Sequence, residues 1–222
     1  VIGGVQWSRP RPPIDEAFIA GASIWMRNSE DIMLERVWSG YDELLKTRPP
    51  FDGTDLERSI TERLEASIQE HMSGYEPFVV QHGPHERETK QPSPAQPPQY
   101  DIGFVFRADS RVIWPLEAKV LETPGTLADY LGDVKDQFLT CRYAPLSPSG
   151  AMIGYLLSGD ANDTLTNISV RLGCTLSPLS RHGERASRVS THVRSVPNGK
   201  PYPKNFQCHH IIMALIGVNR TR

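Results

Sequence analysis

Asp101, Glu117 and Lys119 are the residues of this chain whose types and spacing can do chemistry. They lie in QYDIGFVFRADSRVIWPLEAKVLE, where an acid opens one apolar run and a Glu-x-Lys triplet lies in the next. Side chains two apart on a strand leave on one face, so Glu117 and Lys119 face together. A hairpin through Asp109-Ser110 brings Asp101 beside them. Two carboxylates and an ammonium at strand ends suit metal-assisted cleavage of a phosphodiester. Mg²⁺ prefers hard oxygens and keeps several waters. Asp101, Glu117 and the backbone carbonyl of Ala118 supply such a partial shell, and Mn²⁺ is an expected substitute. Lys119 then orients the attacking water or meets charge developing on the phosphate. A solvated cluster of charges at strand ends is the bland alternative for the same spacing.

The surrounding pattern has to position these groups. Residues 1–13 read as an extended, proline-bearing arm, 14–24 as a short apolar helix, and 31–45 as a helix with Ile32, Leu34, Val37, Tyr41 and Leu44 at near-helical spacing. Thr54 and Glu57 have capping-box spacing for a helix over 54–73 with Ile60, Leu64 and Ile68 on one face. Strands are expected at 78–80, 100–106 and 111–121, with Pro115 a local interruption. The proline-rich stretch 82–99 reads as a long loop or lid. A helix over 126–143, with Leu127, Leu131, Val134, Phe138 and Cys141 as its stripe, leads to a strand at 151–157 that is expected to be parallel. The stretch 163–174 reads as one more strand, 176–205 mostly as loop, and 208–215 as a final strand. The order gives a mixed α+β architecture of the α/β class, with a central mixed sheet flanked by helices. Residues 1–53 form an N-terminal arm and helical extension, and 54–222 the main domain with a C-terminal strand elaboration.

Composition narrows the function. The 222 residues are 38% apolar and 23% charged, with a net charge of −2, so a broad basic coat for nucleic acid is not expected. A metal ion can supply positive charge locally instead. No apolar run reaches membrane-spanning length, and the start does not read as a secretory signal. Cys141, Cys174 and Cys208 are few and far apart, which fits free thiols and a cytoplasmic setting. No Gly-x-Ser-x-Gly elbow or phosphate-binding Gly-x₄-Gly-Lys loop is present. The histidines and cysteines lack close zinc spacing. Packed or surface histidines are the default reading, with His192 and Arg194 on one face of a phosphate-binding strip as the alternative. Lys135 and Arg142 share a helix face that suits phosphate contacts or is simply solvated, and Tyr130 and Gln137 either flank the site or pack.

The acid, the Glu-x-Lys and the elements around them resemble the PD-(D/E)XK nuclease superfamily, the restriction-endonuclease-like fold. The resemblance covers residues 54–158. Tyr100 stands where the motif name has Pro, and Pro115 precedes the Glu-x-Lys. The resemblance implies that Asp101 and Glu117 bind Mg²⁺, that Lys119 is catalytic, and that products carry a 5′-phosphate. A Glu of the first helix often joins such sites. Glu62, between Ile60 and Leu64, is the expected one, with Glu57 its rival. The implied function is Mg²⁺-dependent endonuclease or exonuclease cleavage, of DNA or of RNA. Specificity is expected from a homodimer or a partner subunit. The alternative is a catalytically inactive nuclease-like subunit that binds nucleic acid or acts as a scaffold.

Overall fold

A computed structural model describes residues 11–89, 97–122, 124–182, 184–218 and 220–221. The first ten residues of the expected arm and 90–96 of the expected lid lie outside the described residues.

A single 32-residue helix, α1 (Glu16–Thr47), replaces the two helices expected before residue 46. Ile19, Ala22, Met26, Ser29, Met33, Val37, Tyr41 and Leu44 recur every three or four residues and are buried, so one stripe runs through both expected pieces. Asp15 caps its start by accepting from Phe18 N–H at 2.8 Å. Gly40 lets α1 close on α2 (Leu56–Glu70): a Cβ there would stand 2.8 Å from Ile68 Cγ1. The expected capping box is not formed. Thr54 turns to Asp52 instead, and Asp55 occupies the cap position without a side-chain bond. Glu57 is therefore free to reach elsewhere.

The strands are β1 (Phe51–Asp52), β2 (Phe78–His82), β3 (Ile102–Phe106), β4 (Ile113–Leu121), β5 (Ser149–Leu156), β6 (Ser177–Pro178), β7 (Ser187–Val193), β8 (Asn205–Ala214) and β9 (Arg220–Thr221). Seven form one mixed sheet in the order β2-β3-β4-β5-β8-β7-β6. β2, β3 and β4 make an antiparallel meander, and β5 lies parallel to both β4 and β8. β1 and β9 form a separate parallel pair. The crossover from β4 to β5 is α3 (Pro124–Gly132) followed by a π-helical segment, Asp133–Phe138. α1 and α2 share a core with one set of sheet residues, including Phe104, Trp114, Ala118 and Ile153. Tyr130, Leu131, Val134 and Phe138 of the crossover join Leu165 and Ile168 in a second core with Met152, Leu156 and Ile212. The chain is thus a mixed α+β protein, in which the described residues form four α-helices about a seven-stranded mixed sheet. Among the described residues no helix is long and apolar enough to cross a membrane.

Two C-terminal expectations are corrected. The stretch 163–174 is helical, α4 (Ala161–Leu172), not a strand. Its β-branched residues suggested a strand, but the Asp160 carboxylate caps Asn162 and Asp163 N–H, and Gly173 ends the helix at φ 68. Leu165 and Ile168 then bury on one helical face. Within the expected loop 176–205 lies β7, which is largely polar and pairs along β8 from Ser187↔Ile211 to Val193↔Asn205.

Candidate active site

β4 outruns its partner. The β3–β4 register ends at Ile102↔Leu116, while β4 continues to Leu121 against β5. Residues 117–121 therefore have a neighbour on one edge only, and side chains fill the other. Asp101, just before β3, prolongs the ladder with its carboxylate: Ala118 N–H donates to Oδ2 at 2.7 Å. Two residues on, Val120 N–H donates to Glu57 Oε2 of α2 at 3.0 Å. A strand residue's N–H and carbonyl leave on the same edge, so the Ala118 carbonyl also faces this vacated edge.

Pro115 does not disturb this arrangement. The β5 ladder starts only at Leu116, so the missing N–H falls before it. Gly150 makes room for Phe138 and for Pro115, since a Cβ there would meet the Phe138 ring at 2.8 Å, the Pro115 carbonyl at 3.2 Å and the Pro115 ring at 3.3 Å.

Glu117 and Lys119 share the other face of β4, under the π-helical segment. The Lys119 ammonium lies 3.3 Å from Glu117 Oε1, 3.4 Å from Glu57 Oε1 and 3.3 Å from Asp133 Oδ2. Burial alone would pull this ammonium toward neutrality, but the carboxylates of Glu117, Glu57, Asp133 and Asp101 outweigh it and hold its pKa above the usual lysine value. Glu117 moves the opposite way. Burial pushes its carboxyl well above the ordinary range, and the charge on Asp101 adds to the rise. Burial likewise raises Asp101, offset by its bond from Ala118 N–H. The buried Glu117 Oε2 has no hydrogen-bond partner among the described residues. Three acids thus lie within ion-pair distance of one ammonium and Asp101 lies near them, and so many carboxyl groups can all ionise only where more positive charge is supplied than the side chains provide.

The structure brings Asp101, Glu117, Ala118 and Lys119 together and leaves Glu62 out. Glu62 is exposed and pairs with Arg58 one turn away, at 2.8 Å, so Glu57 replaces it as the α2 carboxylate of the cluster. A helix turns 100° per residue, and Glu57 and Glu62 cannot both face the same strand. Asp133 was missed. It borders the apolar stripe Leu131–Val134–Phe138, and its only signal is a charge next to buried positions. π-helical turns recur at functional sites, and Asp133 opens this one.

The alternative of a phosphate strip does not form. Arg194 is buried and spends its N–H groups on backbone carbonyls, while His192 Nε2 lies 2.7 Å from Ser190 Oγ. Tyr130 is likewise fully buried, its hydroxyl 2.9 Å from His210 Nδ1, and does not flank the site. Lys135 and Arg142 are exposed.

An open cleft of about 390 Å³ borders the cluster, lined by Asp55, Glu57, Arg58, His82, Tyr100 and Asp101 among others. A larger cavity of about 520 Å³, between the end of α1 and residues 214–218, contains none of the cluster. Its walls are mostly apolar, and it carries no chemistry of this kind. Among the described residues no three His, Cys, Asp or Glu side chains already stand in a ligating arrangement. Asp101 Oδ2 is turned to a backbone N–H, and the Lys119 ammonium lies among the other three carboxylates. Compared with family models, with curated proteins and with solved structures, the chain finds no match in any of the three.

Proposed function

We propose that the protein is a Mg²⁺-dependent nuclease that hydrolyses phosphodiester bonds, in DNA rather than RNA. The observation that carries this reading is the carboxylate excess about Lys119, with a buried, unpartnered Glu117 Oε2, beside an open cleft. The donor set fits a small hard cation: it is all oxygen, and Mg²⁺ completes its shell with water. Asp101, Glu117 and the Ala118 carbonyl would hold the ion, with Mn²⁺ as a substitute. When bound, such an ion lowers the pKa of an attacking water and offsets charge at the phosphate. Lys119 orients that water or stabilises charge on the phosphate oxygens. Glu57 and Asp133 hold the ammonium in position, and Glu57 also fixes the strand at Val120. The PD-(D/E)XK resemblance supports the same assignment and a 5′-phosphate product. Specificity then comes from a second copy or a partner subunit.

One observation favours a second reading, an inactive nuclease-like subunit. The ammonium already has three carboxylate partners, so the cluster can persist as a structural ion network. Cleavage of plasmid and single-stranded DNA with Mg²⁺ or Mn²⁺ separates the two. The nuclease reading expects cutting by the wild type and a loss of at least a hundredfold in Lys119→Ala. Equal cutting by both proteins refutes it.

A further inference from the structure

Arg194 is a buried cation whose side-chain hydrogen bonds, among the described residues, all go to backbone carbonyls. Its partners are four carbonyls of the connection between the π-helical segment and β5, residues 138–147. Nε donates to Phe138 O at 2.9 Å, Nη1 to Ser147 O at 3.1 Å, and Nη2 to Tyr143 O at 2.6 Å and Ala144 O at 2.9 Å. The guanidinium also packs 4.5 Å from the Phe206 ring centroid. The turn in this connection needs the hold, because Cys141 and Ala144 have φ of 62° and 50°, a left-handed backbone that residues with a Cβ resist.

The other side of the same turn grips the segment that ends in Asp101. Tyr143 OH donates to Gln99 O at 2.9 Å. Ala144 N–H donates to Tyr100 OH at 3.0 Å, and that hydroxyl in turn donates to the buried Glu86 carboxylate. The Tyr100 and Tyr143 rings meet edge to face at 4.8 Å. Thr89 adds a bond to Arg142 O at 2.7 Å. Gln99 and Tyr100 are thus held from the turn, and the next residue is Asp101, whose carboxylate must reach Ala118 N–H.

We infer that Arg194 is a positioning residue of the candidate metal centre, acting through the 143–144 turn to aim Asp101. The inference rests on the nuclease reading for its consequence, but not for the geometry. An apolar residue in place of Arg194 would leave the Tyr143 and Ser147 carbonyls without a donor, and would leave Phe138 O and Ala144 O only their backbone donors, Cys141 and Ser147 N–H, so the turn would loosen where it holds Gln99 and Tyr100. Partners that orient a metal-binding side chain are worth about 10–100-fold in metal affinity.

The test uses Arg194→Lys and the milder Tyr143→Phe, which keeps the arginine and the ring and removes only the bond to Gln99. Amide hydrogen exchange at Ala118 reads the aim of Asp101 with no metal present. Ile153 and Tyr155 amides, on a strand paired at both edges, report the stability of the sheet in the same sample. The expected result is at least tenfold faster exchange at Ala118 relative to those amides in both variants, with Mn²⁺ affinity by calorimetry reduced about 10–100-fold. If Arg194→Lys does not fold, Tyr143→Phe decides alone. A wild-type exchange ratio in Tyr143→Phe overturns the inference. A wild type that binds no Mn²⁺ refutes the metal reading, while the exchange ratio still decides whether the turn positions Asp101.

Discussion

Glu57 and Glu62 sit five residues apart on α2, and the structure assigns them opposite consequences. Glu57→Ala removes the acceptor of Val120 N–H at 3.0 Å and one of three carboxylates beside Lys119. Losing a charge-assisted bond to a strand-edge N–H costs about 1.5–3 kcal/mol. The ion pair adds little, because the Glu57 side chain is about a third exposed and Glu117 and Asp133 still hold the ammonium. Removing one negative charge also relieves Asp101, which Glu57 pushes toward protonation. The sum is a loss of about 2 kcal/mol for Glu57→Ala, falling to about 1 kcal/mol for Glu57→Gln, which keeps a neutral acceptor. Glu62→Ala breaks one exposed pair with Arg58 on the same helix and costs about 0.5 kcal/mol or less. Urea unfolding measures all three, and DNA cleavage is expected to fall in the Glu57 variants while Glu62→Ala cuts as wild type does. Equal destabilisation by Glu57→Ala and Glu62→Ala, or activity lost only in Glu62→Ala, would refute the placement of Glu57 in the site.

Two further outcomes follow. Mn²⁺ at a hundred times its dissociation constant is expected to stabilise the wild type by about 2.7 kcal/mol. Thermal unfolding with and without the ion checks this, and Glu117→Gln should abolish most of the gain, since it takes away a charged donor whose Oε2 has no other partner. His210 gives a pH prediction away from the site. It is fully buried between Tyr130 OH at 2.9 Å and Ser190 Oγ at 2.8 Å, and burial pushes its pKa down to about 3. The unfolded imidazole protonates near pH 6.5, the folded one does not, so stability is fully present above about pH 6.5 and falls as pH drops toward 3. The slope approaches about 1.4 kcal/mol per pH unit. Urea midpoints between pH 7 and 4.5 should show this component in the wild type and not in His210→Asn; parallel profiles would argue against it.

Much of the arrangement is legible in the residues themselves. The meander, the crossover and the parallel strand after it follow from apolar runs and turn residues between 78 and 157. Local alternation alone puts Glu117 and Lys119 on one face, and that depends only on strand geometry. Other features escape because their cause is not local. The stripe of α1 continues through Met26 and Ser29, where polar neighbours hide it. α4 carries Thr, Ile and Val in strand-like alternation, and its caps and one buried face make it helical. β7 has too little apolar pattern to announce a strand, and its pairing with β8 creates it.

The cluster divides the same way. Sequence by itself determined that an acid lies at the start of one apolar run and that Glu and Lys share a face of the next, because those relations are set within a few residues. Only the tertiary structure decided which carboxylates complete the group. β3 stops short of β4 and leaves backbone N–H groups to be satisfied, so Asp101 and Glu57 are drawn to that edge, while the crossover lays Asp133 against Lys119. A vacated strand edge is a property of register between distant segments, and no spacing along the chain records it.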